Sequence, residues 1–226
     1  MNLIVISNAK TTAAEIDAVI GMFRDGLHHF HLRKPKASKK DLEAYLNQIP
    51  AEYHQRIILH SHHALAGKFQ VGGVHLGRRH RKKSLKNWWR KRRLKMRLPN
   101  MRVTRSFHRL SRLLDNEAPY NYVFLSPVFE GITKKQHAAG YSERKLSRVL
   151  PRLKDDVVAL GGVDATKVDQ VISMGFDGLA LWGALWEDEG NARKVFLEVK
   201  AKLAQSLAQR ATEQEAAQQE QDEAPA

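Results

Sequence analysis

The chain has 226 residues, a length that suits one barrel-sized domain able to bury its own core. Cysteine is absent, which excludes a disulfide framework and thiolate metal sites, and no apolar run reaches the ~18 residues that crossing a bilayer requires. The formal net charge of +14 favours anionic partners, and phosphorylated metabolites, nucleic acid and an anionic membrane all match its sign.

In chain order, eight short apolar runs alternate with longer amphipathic stretches. The first run, Leu3–Ser7, lies in a segment without the basic-then-apolar layout of a signal peptide, so a cytoplasmic location is expected. The others are His28–Arg33, Arg56–His60, Gly73–Leu76, Met101–Thr104, Tyr122–Leu125, Val157–Leu160 and Gly178–Leu181. Helical periodicity marks Ala13–Arg24, Lys39–Ile49, Ser142–Leu150 and Ala165–Met174. Ser38 with Asp41 three residues on reads as a capping box, and Asp164 is placed to cap the helix from Ala165. Gly26 and Gly175 stand where helices should stop.

Strands alternating with helices predict βαβ units and a parallel sheet. Eight such units predict closure into a single-domain (β/α)8 TIM barrel over residues 1–203. An open doubly wound sheet is the alternative, but it more often uses fewer strands, and the Gly-x-Gly-x-x-Gly fingerprint is absent. The last helix is expected from about Asn191 to about Leu207. The acidic, Gln/Glu/Ala-rich tail, residues 204–226, is expected to be disordered.

Ligands of such barrels bind at the C-terminal ends of the strands. Period-two alternation puts His31 and Arg33 on one face of the second strand, opposite Phe30 and Leu32. An inward Arg needs an anion or an acid. No acid stands near it in sequence, so an anionic ligand is favoured over a distant Asp or Glu. His60 and His75 fall at strand ends, where they could line a cavity. His60, His62 and His63 invite a metal, but no His-Glu-x-x-His pattern accompanies them, and no metal site is expected there.

Between Arg78 and Arg97 stand twelve Lys/Arg, no acid, and the pair Trp88-Trp89. This segment reads either as a nucleic-acid surface with stacking platforms or as a surface helix with its tryptophans packed on the barrel. Without a recognised nucleic-acid motif, the second reading is preferred. After the sixth run the connection is long, and Thr133 and Lys134 offer a hydroxyl and an ammonium to a phosphate. Lys135 reads as a solvated charge. Gly161-Gly162 follows the seventh run and Gly183-Ala184 the eighth. Glycine turns at these two ends let a phosphate approach backbone N–H groups, with two plain tight turns as the alternative.

Together these residues resemble the thiamine phosphate synthase and thiazole tautomerase family. The resemblance runs from Leu3 to about Ala201. It rests on His31-Leu32-Arg33, Gly73-Val74-His75-Leu76-Gly77, Ser106-Phe107-His108, Pro127-Val128-Phe129 with Thr133-Lys134, Ala159-Leu160-Gly161-Gly162-Val163, and Gly175-x-x-Gly178-Leu179-Ala180. It implies a reaction joining hydroxymethylpyrimidine pyrophosphate to thiazole phosphate with release of pyrophosphate. In that scheme Arg33 and Lys134 bind the pyrophosphate, assisted by Thr133 and Ser106. Gly161, Gly162 and the Gly183-Ala184 backbone hold the thiazole phosphate. His31 replaces a Gln on the pyrimidine side, with His60 among the pocket residues.

The resemblance also implies Mg²⁺, but its usual carboxylate ligands are replaced. His60-Ser61 stands for an Asn-Asp pair, and His80 for an Asp. Pro35, followed by Lys36, replaces a Lys; Ser126 replaces a Gly; Gly131 replaces a Thr; and Pro127 stands where the tautomerase has a His. The reading that follows is a divergent synthase in which fixed cations, among them Lys36, Arg78 and Arg79, take the place of Mg²⁺. The alternatives are a barrel that binds or senses another phosphorylated metabolite, and a nucleic-acid binder acting through segment 78–97. Small phosphorylated substrates are the expected partners and a membrane is not; a homodimer is left open.

Overall fold

The computed structural model describes residues 1–77, 100–130 and 141–222. Eight strands form a closed, all-parallel barrel in sequence order, with β8 returning to pair with β1. They are β1 (Asn2–Ile6), β2 (His29–Leu32), β3 (Ile57–Leu59), β4 (Gly73–Leu76), β5 (Arg102–Phe107), β6 (Tyr122–Leu125), β7 (Val157–Leu160) and β8 (Gly178–Leu181). The described α-helices are α1 (Ala13–Arg24), α2 (Lys39–Gln48), α3 (Leu65–Phe69), α4 (Leu110–Leu114), α5 (Glu143–Val149), α6 (Val168–Ser173) and α7 (Ala192–Asp222).

Near-continuous apolar runs become strands here because both faces of a parallel barrel sheet are covered. Val5, Phe30, Leu32, Val123, Leu125, Ala159 and Leu181 pack outward in the core between strands and helices. Ile4, Ile6, Ile58, Tyr122, Phe124, Val158, Leu160 and Ala180 form a second, smaller core inside the barrel. The same alternation turns His31, His75 and Thr104 inward, and all three are buried. The inner wall is therefore apolar on β1, β3, β7 and β8, and polar along β2, β4 and β5. Register sets His75 beside Thr104, Thr104 beside Tyr122, and Ser106 beside Phe124.

Most strand boundaries move by a residue or two from those expected. β5 differs more, running to Phe107 rather than Thr104. Its polar Arg105 and Ser106 break the apolar signal while the ladder continues. Thr12, Ser38 and Ser142 cap the starts of α1, α2 and α5, and the Ser38–Asp41 capping box is complete. The single helix expected over Ala165–Met174 is instead a 3-10 turn, Ala165–Lys167, capped by Asp164, followed by the short α6.

The tail requires a correction. Residues expected to be disordered from 204 onward continue α7 as far as Asp222. Ala, Gln and Glu are strong helix formers, and no Gly or Pro interrupts them before Pro225. The first turns of α7 bury Ala192, Phe196, Val199 and Leu203 against the barrel, whereas residues 207–219 are exposed. Arg193–Asp25 and Lys202–Asp169 ion pairs tie the helix to its neighbours, each at 2.7 Å. No described helix is long and apolar enough to cross a bilayer.

Two truncations test this division of α7. Removing residues 213–226 should leave the free energy of unfolding within about 0.5 kcal/mol of the full chain, because contacts made at exposed positions contribute little. Removing 192–226 strips Phe196, Val199 and Leu203 from the core and should abolish cooperative unfolding. Urea titration followed by tryptophan fluorescence distinguishes the two.

Candidate active site

Three histidines meet in the polar half of the barrel interior. His31 comes from β2, His75 from β4, and His60 follows β3. His31 Nδ1 lies 2.9 Å from His60 Nε2, and His31 Nε2 lies 2.6 Å from the Tyr122 hydroxyl. The His60 and His75 rings stack at 4.1 Å between centroids. Thr104 Oγ1 is 2.9 Å from His75 Nδ1, and Ser106 Oγ is 3.1 Å from His75 Nε2. A ligating nitrogen from each of the three rings falls within 4.8 Å of the others.

Burial holds His31 and His60 well below the usual histidine range, and neighbouring charge, His75 foremost, adds to the effect. Both are therefore neutral imidazoles at physiological pH. Burial also pushes the Tyr122 phenol above its usual value, so it keeps its proton. The cluster offers nitrogen lone pairs and hydroxyls, and His31, His60 and Tyr122 carry no charge there.

Charge enters at the rim. Arg33 is half-buried just beyond β2, and its guanidinium lies 4.8 Å from the ring centre of Trp182, which follows β8. The buried Ser7 hydroxyl pins the residue: it accepts from Arg33 N at 2.8 Å and donates to Arg33 O at 3.1 Å. Arg33 has no carboxylate partner among the described residues. The neighbouring Lys34 is different. It is buried and paired with the equally buried Glu15 of α1, and it also donates to Lys10 O. Burial pushes the Glu15 carboxyl up to about 7, against the pull of Lys34 and of the Asn8 N–H. Glu189 accepts from Asn8 Nδ2 and Thr12 Oγ1, which links the loop after β1 to the one before α7.

Gly161 and Gly162 follow β7 with φ of +97° and +66°. A Cβ on Gly162 would meet Glu130 O at 2.3 Å, and one on Gly161 would meet Pro127 Cα at 2.9 Å. The pair is needed for this turn and for close approach to the loop after β6. Gly183 and Ala184, half-buried, form a turn after β8. Arg33, Ser106, both glycine turns and the histidines thus share the C-terminal end of the barrel. Thr133, Lys134, Arg78, Arg79 and His80 lie outside the described residues, as does the whole of segment 78–97. Lys36 is exposed. A separate cavity of about 480 Å³ runs along β5, lined by Arg105, Arg109 and Arg112, and shares Ser106 with the inner site.

A model of the family described as thiamine monophosphate synthase matches residues 2–185. The chain belongs to that family. The thiamine-phosphate synthase of Methanosarcina barkeri is 35% identical over 65 residues, which is 29% of this chain and 30% of that relative, so the match spans under a third of the relative's length. Among solved structures, a thiamine phosphate pyrophosphorylase from Bacteroides thetaiotaomicron is 26% identical with a TM-score of 0.71, covering 91% of this chain and 98% of the other. One from Pyrococcus furiosus, at 20% identity and a TM-score of 0.70, covers 91% and 96% and shows the shared fold. A 3-hexulose-6-phosphate synthase at 14% identity and a TM-score of 0.62 shares the fold alone.

The Mg²⁺ that the family resemblance implies does not fit the donors found here. Mg²⁺ requires near-octahedral oxygen ligation. Among the described residues the inner site presents imidazoles and hydroxyls. The nearby rim carboxylates, Glu15 and Glu189, are already engaged by Lys34, Asn8 and Thr12. Ser61, in place of a family Asp, offers one buried hydroxyl without a hydrogen-bond partner.

Several site residues escaped the sequence reading. Tyr122 and Thr104 were legible only as inward positions of alternating strands, and Trp182 only as the residue after an apolar run. Glu15 sits on the buried face of α1 beside Ile16 and Val19. A lone acid on such a face is itself a signal of a buried cation.

The Glu15–Lys34 pair supports the loop that carries Arg33, and its removal is testable. Glu15→Gln leaves Lys34 buried without its counter-charge and should cost about 3 kcal/mol in denaturant unfolding. The double change Glu15→Leu with Lys34→Met should recover most of that loss, because it removes both desolvated charges together. A double variant no more stable than Glu15→Gln would contradict this role.

Proposed function

We propose that this member of the family joins hydroxymethylpyrimidine pyrophosphate to thiazole phosphate, giving thiamine phosphate and pyrophosphate. The reading is carried by the family match together with Arg33, a half-buried rim cation that no described carboxylate neutralises. In the reaction the bond between the pyrimidine methylene carbon and the pyrophosphate oxygen breaks, and the oxygen keeps the electron pair. The thiazole nitrogen then donates its lone pair to the methylene carbon, so the thiazolium charge balances the charge released as pyrophosphate.

Such a step depends on stabilising the leaving group and aligning two substrates, with little covalent work by the protein. Arg33 suits the leaving group. Its fork matches phosphate oxygens, stacking on Trp182 orients it, and Ser7 fixes its backbone. In this scheme Lys134 and Thr133 complete the pyrophosphate site. Ser106 assists from β5, and the glycine turns at Gly161-Gly162 and Gly183-Ala184 receive the thiazole phosphate. In this scheme the half-buried, neutral His60 faces the pyrimidine, and the fully buried His31, whose two ring nitrogens meet His60 and Tyr122, holds it in place. Because the donors do not suit Mg²⁺, charge neutralisation is assigned to side-chain cations.

Incubating the purified protein with both substrates, once with EDTA and once with Mg²⁺, tests the assignment. Thiamine phosphate should form in both arms. Arg33→Ala should lower kcat/KM by about 100-fold, the loss expected when one preorganised charge-stabilising donor is removed. Absence of product in both arms, with thermal stabilisation by sugar phosphates but not by thiazole phosphate or pyrophosphate, would replace this function with binding of another phosphorylated metabolite.

A further inference from the structure

The geometry points to a transition-metal site of the zinc class inside the barrel, with His31, His60 and His75 as its three protein ligands. The donors belong to three different segments, around β2, β3 and β4, and their ligating nitrogens already lie within 4.8 Å of one another. Nitrogens bound to one ion at 2.0–2.1 Å in tetrahedral array stand roughly 3.3 Å apart. The His31–His60 separation of 2.9 Å is close to that value, and small ring rotations close the remainder.

Two of the three rings, His31 and His75, have the outer partner that a metal-bound imidazole requires. A ligating histidine usually gives its second nitrogen to an oxygen partner, which fixes tautomer and ring orientation. Tyr122 holds Nε2 of His31 and leaves Nδ1 facing His60. Thr104 meets Nδ1 of His75, while Nε2 faces the Ser106 hydroxyl, a rotor that can turn away. The ligands are also chemically selective. Imidazole suits Zn²⁺, Co²⁺ and Ni²⁺, whereas Mg²⁺ and Ca²⁺ prefer oxygen.

The sequence pattern misdirects on this point. His60, His62 and His63 are neighbours in the chain, yet His62 is exposed, with Nε2 near Ala37 O, and it takes no part in the cluster. Barrel closure assembles the group instead. Three protein ligands leave an open coordination position, the arrangement found where a water or a ligand oxygen completes the sphere. An ion there would add positive charge to the pocket floor, and Ser106, a predicted substrate contact, lies beside it.

The inference is independent of which phosphate the rim takes, and binding is read without substrate. Untagged full-length protein, stripped with a chelator and dialysed, is titrated with Co²⁺ and with Zn²⁺, with Mg²⁺ as the comparison. One Co²⁺ per chain should bind, with the visible absorption of a low-coordinate site, and Zn²⁺ should displace it. Excess Mg²⁺ should not. His60→Gln and His75→Gln should each weaken binding by more than about 100-fold, the upper end of what an outer-shell change costs. Thr104→Val should weaken it by about 10-fold or more while leaving every ligand in place. His28→Gln, at an exposed position, should bind as the parent does. If His75→Gln fails to fold, the half-buried His60→Gln decides the outcome. Absence of Co²⁺ or Zn²⁺ uptake by the folded parent would overturn the assignment, as would undiminished binding by folded His60→Gln.

Discussion

Enclosing imidazoles in a parallel barrel imposes one condition on this molecule: inward polar groups need partners, and burial favours the uncharged form of the rings. A buried imidazolium without a counter-ion is prohibitively costly, and a buried neutral ring still loses free energy if its nitrogens are unmatched. The chain meets most of this condition by grouping its inward polar side chains, with His29 Nδ1, buried without a partner, as an exception. His31, His60, His75, Thr104, Ser106 and Tyr122 hydrogen-bond to one another on one side, and Ile4, Ile6, Ile58, Val158, Leu160 and Ala180 fill the other. The half-apolar, half-polar interior packs as a core and still supplies donors at the ligand-binding end.

The rim applies the same rule to full charges, with two outcomes. Lys34 and Glu15 are both buried and answer each other, so the pair anchors the loop after β2 to α1. Arg33, one residue earlier, is answered among the described residues only by the face of Trp182 and by backbone pinning through Ser7. Adjacent cations thus do different work: one completes the scaffold, and the other stays available to an anion. A site that binds phosphate esters needs this separation, because a cation already neutralised by the protein has little attraction left for a ligand.

The barrel was legible because a parallel strand buried on both faces leaves a short apolar run, and eight such runs recur. Inward orientation was legible too, since alternation opposes His31 to Phe30 and Leu32. Convergence was not. His31 and Tyr122 are 91 residues apart, and only closure and register bring their side chains to 2.6 Å. β5 was read short because Arg105 and Ser106 interrupt its apolar pattern, although one faces Tyr120 and the other the interior. The tail was read by its lack of apolar residues, and its helix propensity won instead. Glu15 went unnoticed because α1 reads as amphipathic with or without it.

The proposed function depends most directly on Arg33 and the glycine turns acting as a shared cradle for phosphate groups. A crystal structure of the protein soaked with pyrophosphate and thiazole phosphate examines this directly. The expected result is a phosphate held by the Arg33 guanidinium beside Trp182, and a second against the backbone of Gly161-Gly162 and Gly183-Ala184. A well-ordered structure with Arg33 turned to a protein carboxylate, and phosphate density elsewhere on the surface, would contradict it.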